Sequence, residues 1–335
     1  VTNFKQPELD LQIESNEFPV DQLLALFPQI TEIIEADTPF SAKGAGMLQA
    51  SARGKLNDLA VKLNLNLDRS AVAYADVFQK NEQEAGNLHI EAHVGKDSVS
   101  ITQGVLNLGK FQITAAGTIT NFTQPKLDVV VETNAFDIQT LLAHAPIAKT
   151  SLSPELTVAG VGALRIVPVG SLDNLSISGK IDLTKSAIAF GEYFAKPQDL
   201  PGIIEFDATL TKDAVTIRKV QINLNGVILD VTGMVSGLQQ QTMLDLSIKS
   251  NRFALNQLFP VKGMVMHPTG DTQLSFTIQS PLDRLNLASI SAANLELRDV
   301  RFLPPQFSKP VEHVTAHLAL QGQQLTIQQL SAIVG

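Results

Sequence analysis

The chain has 335 residues and a mass of 36.1 kDa; 44% of its residues are hydrophobic, 17% are charged, and its formal net charge is -8. Length allows about two ordinary domains, the apolar content excludes a disordered chain, and no run of about 18 apolar residues is present to cross a bilayer as a helix. An acidic balance without any basic block argues against nucleic acid, and the absence of cysteine removes disulfides, thiolate zinc sites and a cysteine nucleophile.

The chain repeats itself from its first residues. Val1-Thr-Asn-Phe-Lys-Gln-Pro-Glu-Leu-Asp-Leu11 returns as Ile119-Thr-Asn-Phe-Thr-Gln-Pro-Lys-Leu-Asp-Val129, seven of eleven positions being identical at an offset of 118 residues. Leu9-Asp-Leu-Gln-Ile-Glu-Ser-Asn-Glu-Phe18 matches Leu127 to Phe136, and then Leu244 to Phe253 at a further offset of 117. Next comes Val20 to Pro28, echoed by Ile138 to Pro146 and Leu255 to Pro260. Leu23, Leu24 and Phe27 share one helical face, Asp21 or Asn256 can serve as N-cap, and Pro28, Pro146 and Pro260 end the motif. The spacing predicts one short helix per repeat, with Ile30, Ile33 and Ile34 extending the first apolar stripe.

Strands follow, read from a period of two. Leu59, Val61, Leu63, Leu65 and Leu67 alternate with Ala60, Lys62, Asn64, Asn66 and Asp68; Leu88, Ile90, Ala92 and Val94 alternate with His89, Glu91, His93 and Gly95. Further on, Ile204, Phe206, Ala208 and Leu210 oppose Glu205, Asp207, Thr209 and Thr211, and Leu274, Phe276, Ile278 and Val314, Ala316, Leu318, Leu320 continue the pattern. Tight turns at Gly95-Lys-Asp97, Thr211-Lys-Asp213 and Gln321-Gly322 predict antiparallel pairing. In sequence, Leu65 to Tyr74 recurs as Ile181 to Phe190 and more loosely as Ala293 to Phe302, and Lys96 to Ile101 recurs as Lys212 to Ile217 and, in part, as Gln324 to Ile327. Three units result, 1–118, 119–235 and 236–335, each of about six strands. Val334-Gly335 aligns with Leu108-Gly109 and Leu224-Asn225, each of which precedes another strand, so the third unit is expected to stop at a turn, as a piece of a longer protein. Stacked side by side, the three units would span roughly 85 Å.

A half-dry antiparallel sheet needs a covering layer, and one short helix per unit is too little. Either the sheet closes on itself as a sandwich or barrel, or it forms a trough whose aliphatic floor holds an apolar ligand. Acyl chains suit such a floor: about sixteen methylenes gain on the order of 12 kcal/mol on leaving water. The cadence Leu-Asp-Leu-x-Ile-x-Ser-Asn-x-Phe, with turns of the type Gly54-Lys-Leu-Asn-Asp-Leu59 and Gly170-Ser-Leu-Asp-Asn-Leu175, resembles the AsmA family of Gram-negative envelope proteins over essentially the whole chain; the third copy departs at Ser280-Pro-Leu-Asp-Arg-Leu285. The resemblance implies a mainly β fold, an elongated, curved antiparallel sheet of three repeated units forming a groove, with one short helix per unit. It also implies a periplasmic location, with an inner-membrane anchor helix absent from this sequence, and an architecture similar to TamB and to eukaryotic bridge-like lipid-transfer proteins. Lack of cysteine suits that compartment, and no leader-like segment opens the chain.

Other motifs carry less. His89, Glu91 and His93 share the wet side of one strand, and at ~3.3 Å per residue the two imidazoles lie about 13 Å apart, too far for one ion. His313 and His317 have the same spacing. Gly44-Ala-Gly46 and Gly160-Val-Gly162 are too short for phosphate loops and are expected at bends or bulges. Asp10, Asp128 and Asp245 are lone acids on wet faces. Asn16, Asn134 and Asn251 are expected to fix the turn from strand to helix, and Asn121-Phe-Thr123 is a glycosylation pattern idle in a bacterium. No catalytic constellation, metal site or cofactor motif is recognised. The expected function is a non-enzymatic lipid conduit, supporting inner-to-outer membrane phospholipid transport and outer-membrane homeostasis. Its partners would be phospholipid acyl chains, and membranes through regions outside this sequence. The expected floor is Val61, Leu63, Leu65, Ile90, Phe111 and Ile113, then Val129, Val131, Ile177, Ile181, Phe206, Leu210 and Leu229, then Leu246, Ile248, Phe276 and Leu295. The alternative is a scaffold of stacked, closed sandwiches without lipid.

Overall fold

Segments with one apolar and one polar edge hydrogen-bond side by side more readily than they coil, because each then satisfies its backbone while sorting its side chains. The computed structural model describes residues 8–25, 40–191, 194–257, 268–286, 289–304, 308–322 and 324–334. The fold is mainly β, 72% strand and 7% helical, and its ladders are antiparallel throughout the described residues. Two units are distinguished: Val1–Ser153 with Val161–Leu172, and Pro154–Gly160 with Asp173–Gly335. The repeat boundaries after residues 118 and 235 are boundaries of sequence.

The first unit contains β1 (Glu8–Glu14), β2 (Phe18–Pro19), α1 (Val20–Ala25), β3 (Phe40–Lys55), β4 (Asp58–Tyr74), β5 (Phe78–Lys80), β6 (Gly86–Gly95), β7 (Ser98–Leu108), β8 (Phe111–Thr120), β9 (Lys126–Thr133), β10 (Phe136–Asp137), α2 (Ile138–His144), α3 (Pro146–Ser151) and most of β11 (Leu156–Ser171). β1, β3, β4, β6, β7, β8, β9 and β11 lie in ladder order. Their turns alternate between two ends: tight tips at 56–57, 96–97 and 121–125 on one, and the helices with β2, β5 and β10 on the other.

The second unit begins with the start of β11, which pairs with β13 (Ser186–Phe190), itself paired with β14 (Phe194–Lys196). Its main ladder runs β12 (Asn174–Asp182), β15 (Gly202–Thr211), β16 (Ala214–Leu224), β17 (Val227–Ser236), β18 (Met243–Ser250), β20 (Thr269–Pro281), β21 (Ile290–Phe302), β22 (Val311–Gln321) and β23 (Gln324–Val334), with β19 (Phe253–Ala254) beside β20.

Buried apolar side chains gather at the helical end of the first unit. Val20 packs with Leu65 and Leu67, flanked by Phe18, Ala42, Leu48, Leu63 and Leu88. Phe111 meets Phe136 edge to face at 5.3 Å, and the buried His144 ring stacks on Phe111 at 6.1 Å and on Phe78 at 6.3 Å. The His144 Nδ1 faces the Gln79 carbonyl at 2.8 Å, and Gln79 Nε2 donates back to Ala143 O at 2.8 Å, tying α2 to the β5 hairpin.

The helices differ from expectation in their ends. Asp21 lies inside the first turn of α1, whereas in the second copy Asp137 is the cap and accepts from Thr140 N at 3.0 Å. Pro146 ends α2 but also opens α3, because a residue without an N–H costs nothing at a first helical position. The third copy shows a 3-10 turn at Leu255–Gln257, with Asn256 inside it rather than capping. The side chains of Leu23 and Leu24, together with Phe27, Pro28, Ile30, Ile33, Ile34, Pro260 and the opening residues Val1 to Pro7, lie outside what is described.

Two devices recur at the helical end. Ser15, Thr133 and Ser250 each accept, through the hydroxyl, the backbone N–H of Leu48, Leu164 and Leu274 at 2.8, 2.9 and 2.9 Å. Next to them, Asn134 donates to Lys110 O and accepts from Gln112 N, and Asn251 donates to Gly226 O and accepts from Ile228 N, all at 2.9–3.0 Å. These asparagines thus stitch the strand end to the neighbouring hairpin rather than shaping the helix turn itself. The second device is a buried lysine. Lys80 Nζ donates to Ser70 O and Asn81 O, and Lys196 Nζ donates to Ser186 O, Leu183 O, Pro197 O and Thr184 O between 2.6 and 3.3 Å. Each lies against a glycine six residues on: a Cβ on Gly86 would sit 2.3 Å from Lys80 Cε, and one on Gly202 2.6 Å from Lys196 Cε. Burial pushes both ammonium groups below the ordinary lysine value.

Candidate functional site: the apolar sheet face

Residues directly opposed in an antiparallel pair share a face, so the registers assign every side chain to one side of its sheet. In the first unit one row reads Ala52, Val61, Ala92, Ile101, Gly117, Val129; the next Ala50, Leu63, Ile90, Gly104, Ala115, Val131, Ile166; the next Leu48, Leu65, Leu88, Leu106, Ile113, Thr133. In the second unit one row reads Leu175, Leu210, Val215, Val235, Leu244 and another Ile177, Ala208, Ile217, Gly233, Leu246, Ile278. Beyond these lie Gly179, Phe206, Val220, Val231, Ile248, Phe276, Ala293, and Ile181, Ile204, Ile222, Leu229, Ser250, with Leu274, Leu295, Leu318 and Ile327 continuing the last.

The seventeen floor residues expected from the sequence therefore fall on one face within each unit. They do not share one environment. Phe111 (4% exposed) is roofed by Phe136 and His144, and Leu65 (8%) lies beneath the α1 cluster, so neither offers open surface; Val129 is also buried at 8%. The other fourteen are half-buried. They touch their ladder neighbours sideways but are not sealed from above.

Sixteen apolar residues are buried among the described residues, many of them under the helical end. Closed sandwiches interdigitate two inner faces into a dry core, and the half-buried rows lack that seal.

The opposite face carries charge in both units. In the first, Arg53 pairs with Asp10 at 3.0 Å, Lys62 with Glu91 at 2.8 Å, and Arg165 with Glu132. In the second, Arg218 Nε donates to Asp207 at 2.9 Å, Lys219 lies 3.6 Å from Glu205, and Arg301 3.0 Å from Glu312. The hydrogen bond from Arg218 holds the Asp207 carboxyl below its ordinary range, and that from Lys62 does the same for Glu91. Exposed pairs of this kind add little stability; they keep this face wet.

His89, Glu91 and His93 lie on this charged face, with His89 Nε2 3.7 Å from Glu91 Oε1. His89 Nδ1 is 2.6 Å from Asn64 Oδ1, Glu91 takes Lys62, and His93 lies 3.6 Å from Asp58. His313 lies 2.7 Å from Asp299. Asp10 and Asp245 likewise have neighbours, Arg53 and Gln279, and Gly44 stands beside the bulge at Ala45/Met47. A shallow hollow beside β1, lined chiefly by Gln12, Glu14, Gln49, Ser51, Lys62 and Asn64, belongs to this polar face and not to the apolar one.

The sequence reading missed the buried lysines. Their signal was present: Phe78-Gln-Lys80 and Phe194-Ala-Lys196 stand 116 residues apart, each with its glycine six residues on. The third copy, Ser308-Lys309-Pro310, has Thr315 there instead, and Lys309 is exposed. Comparison with family models, curated proteins and solved structures returned no match.

Proposed function

We propose that the chain is a segment of a bridge-like lipid-transfer protein, in which the apolar sheet face shields phospholipid acyl chains while head groups stay in water. The observation that carries this reading is the division of each sheet into a half-buried aliphatic face and an ion-paired face, with its own side chains covering the apolar side chiefly at the helical end. Aliphatic side chains without directional donors suit hydrocarbon of varied length, since the stabilisation follows area alone. Chain-wide, the three repeats would together form one groove. In this reading, which the AsmA-like cadence supports, the conduit lies in a periplasm, anchored to the inner membrane by a helix outside this sequence and supporting outer-membrane homeostasis. No catalytic role is proposed. Closed scaffold sandwiches accord poorly with half-buried inward rows.

The test is lipid extraction and native mass spectrometry of the purified chain, followed by transfer of fluorescent phospholipid between vesicles. Bound phospholipid and accelerated transfer are expected. A lipid-free protein that moves no phospholipid at any ratio to vesicles would overturn the reading.

A further inference from the structure

The polar face of the first unit holds a hollow of about 730 Å³ across β1, β3, β4 and β6. It lies beside a bulge. Between Ala45 and Met47 the facing strand, from Arg69 to Asn66, has one residue more, and an extra residue bends the pair. Side-chain amides converge on this hollow. Gln49 faces Asn64, Met47 faces Asn66, and Asn66 in turn faces Asn87. Asn16 stands at its wall with Glu14 and Glu17.

Much of their hydrogen-bonding capacity is unspent. Asn64 Oδ1 lies 2.6 Å from His89 Nδ1, which leaves the Asn64 amide nitrogen. The side chains of Asn16 and Asn87 have no partner among the described residues. Glu14 accepts from Gln49 Nε2 at 3.2 Å and Glu17 from Arg69 at 2.6 Å, each through one oxygen, so each keeps a second acceptor.

The second copy of the repeat shows that the sheet itself does not require these amides. At the positions 116 residues on, Arg165 stands for Gln49, Lys180 for Asn64, Asp182 for Asn66, Ile203 for Asn87 and Glu205 for His89. There Arg165 pairs with Glu132 and Lys219 with Glu205. Charged and amide side chains solvate a sheet face equally well. A neutral set suits a ligand that brings no charge but many hydroxyls, because an amide offers both donors and an acceptor and a hydroxyl answers to either.

We propose that this hollow is a binding site for a neutral oligosaccharide. The amides meet neighbouring ring hydroxyls, donating to one and accepting from the next. The remaining oxygens of Glu14 and Glu17 accept from others, and the Met47 side chain, 45% exposed, lies against the apolar C–H face of a ring. Phosphorylated or carboxylated sugars do not fit, since both glutamates would repel them. Asn64 points away from Leu63 and Leu65, its neighbours on the strand, so the site is independent of anything held on the apolar face.

The test uses the full chain with chitotriose, maltotriose and cellotriose as probes, each followed by saturation-transfer NMR and by calorimetry. At least one is expected to bind with a dissociation constant in the millimolar range or below. Asn64→Leu and Asn87→Leu are each expected to weaken that binding about tenfold, as the loss of one hydrogen bond to the ligand would. Gln49→Arg combined with Asn64→Lys, which copies the second repeat, is expected to abolish it. Gln103→Leu, on the same face beside Glu91 but outside the hollow, is expected to change nothing. Urea denaturation shows that each variant is folded. No binding of any probe at millimolar concentration, undiminished binding by the Asn64 and Asn87 variants, or tighter binding of a sugar phosphate than of the neutral probes would overturn the inference.

Discussion

Replacing Phe206 by aspartate tests the apolar face where it is least confounded by the core. Phe206 is half-buried on its row between Gly179 and Val220, and its neighbours Glu205 and Asp207 project to the charged face. Strands lie about 4.8 Å apart, so a hydrocarbon chain lying across the ladder sets about four methylenes over each strand. At about 0.8 kcal/mol per methylene, a carboxylate that drives the chain off one strand removes on the order of 3 kcal/mol, roughly 150-fold in affinity. Phe206→Asp and Val220→Asp are therefore expected to lower retained phospholipid and vesicle-to-vesicle transfer by about two orders of magnitude. Glu205→Gln, on the opposite face of the same strand, is expected to stay within about twofold. Urea denaturation shows whether each variant is folded. Equal loss from both faces, or lipid retained by both aspartate variants at full occupancy, would refute the reasoning. Leu65→Asp is the poorer choice, since it places a charge beneath Val20 and Leu67 and destabilises the fold itself.

Further outcomes follow from the helical end and the charged face. Gly86→Ala and Gly202→Ala are each expected to cost about 1–3 kcal/mol by overpacking. Lys80→Ala should recover most of the loss at Gly86, where the nearest atoms are Lys80 carbons, but Lys196→Ala only part of that at Gly202, where the Leu183 carbonyl also lies 2.6 Å away. Double-mutant cycles in urea check this difference. Thr133→Val and Ser250→Ala should each cost about 1 kcal/mol by orphaning the Leu164 and Leu274 amides, read as a shift in denaturation midpoint. Asp207 is held below its ordinary value of 3.8 by Arg218, so its folded state keeps the carboxylate. Its contribution is complete above that value and is lost as pH falls below it through the folded pKa. Asp207→Asn is therefore expected to flatten the acid limb of stability in this range, and an unchanged limb would refute the assignment.

Much of the fold was legible because a period of two is a geometric statement. Once strands lie antiparallel with registers pinned by tight turns, parity fixes the face, and Val61, Leu63, Ile90, Phe206 and Phe276 fall on one side of their sheets for the same reason that Lys62, Glu91 and Glu205 fall on the other. Parity does not say what lies above a face. That depends on contacts distant in sequence, which is why Phe111 read as open floor yet is roofed by Phe136 and His144, 25 and 33 residues further on. The lysine cages were hidden for a related reason. A lysine reads as a wet-face residue until its partners are known, and here those partners are backbone carbonyls, which leave no trace in residue type.

The same contrast explains why the repeat tolerates so much substitution on its apolar face and so little at the stitches. Rows that mix Leu, Ile, Val, Ala and Phe need only remain apolar, since area and not shape sets their stabilisation while nothing interlocks with them from above. Ser15, Thr133 and Ser250 must present a hydroxyl at one place, and Asn134 and Asn251 an amide that both donates and accepts, because each closes a backbone group that the ladder leaves open. A closed core would reverse that balance. Large, shape-matched residues would recur at fixed inward positions, whereas Ala208, Phe206 and Gly179 stand as neighbours on one face of this sheet.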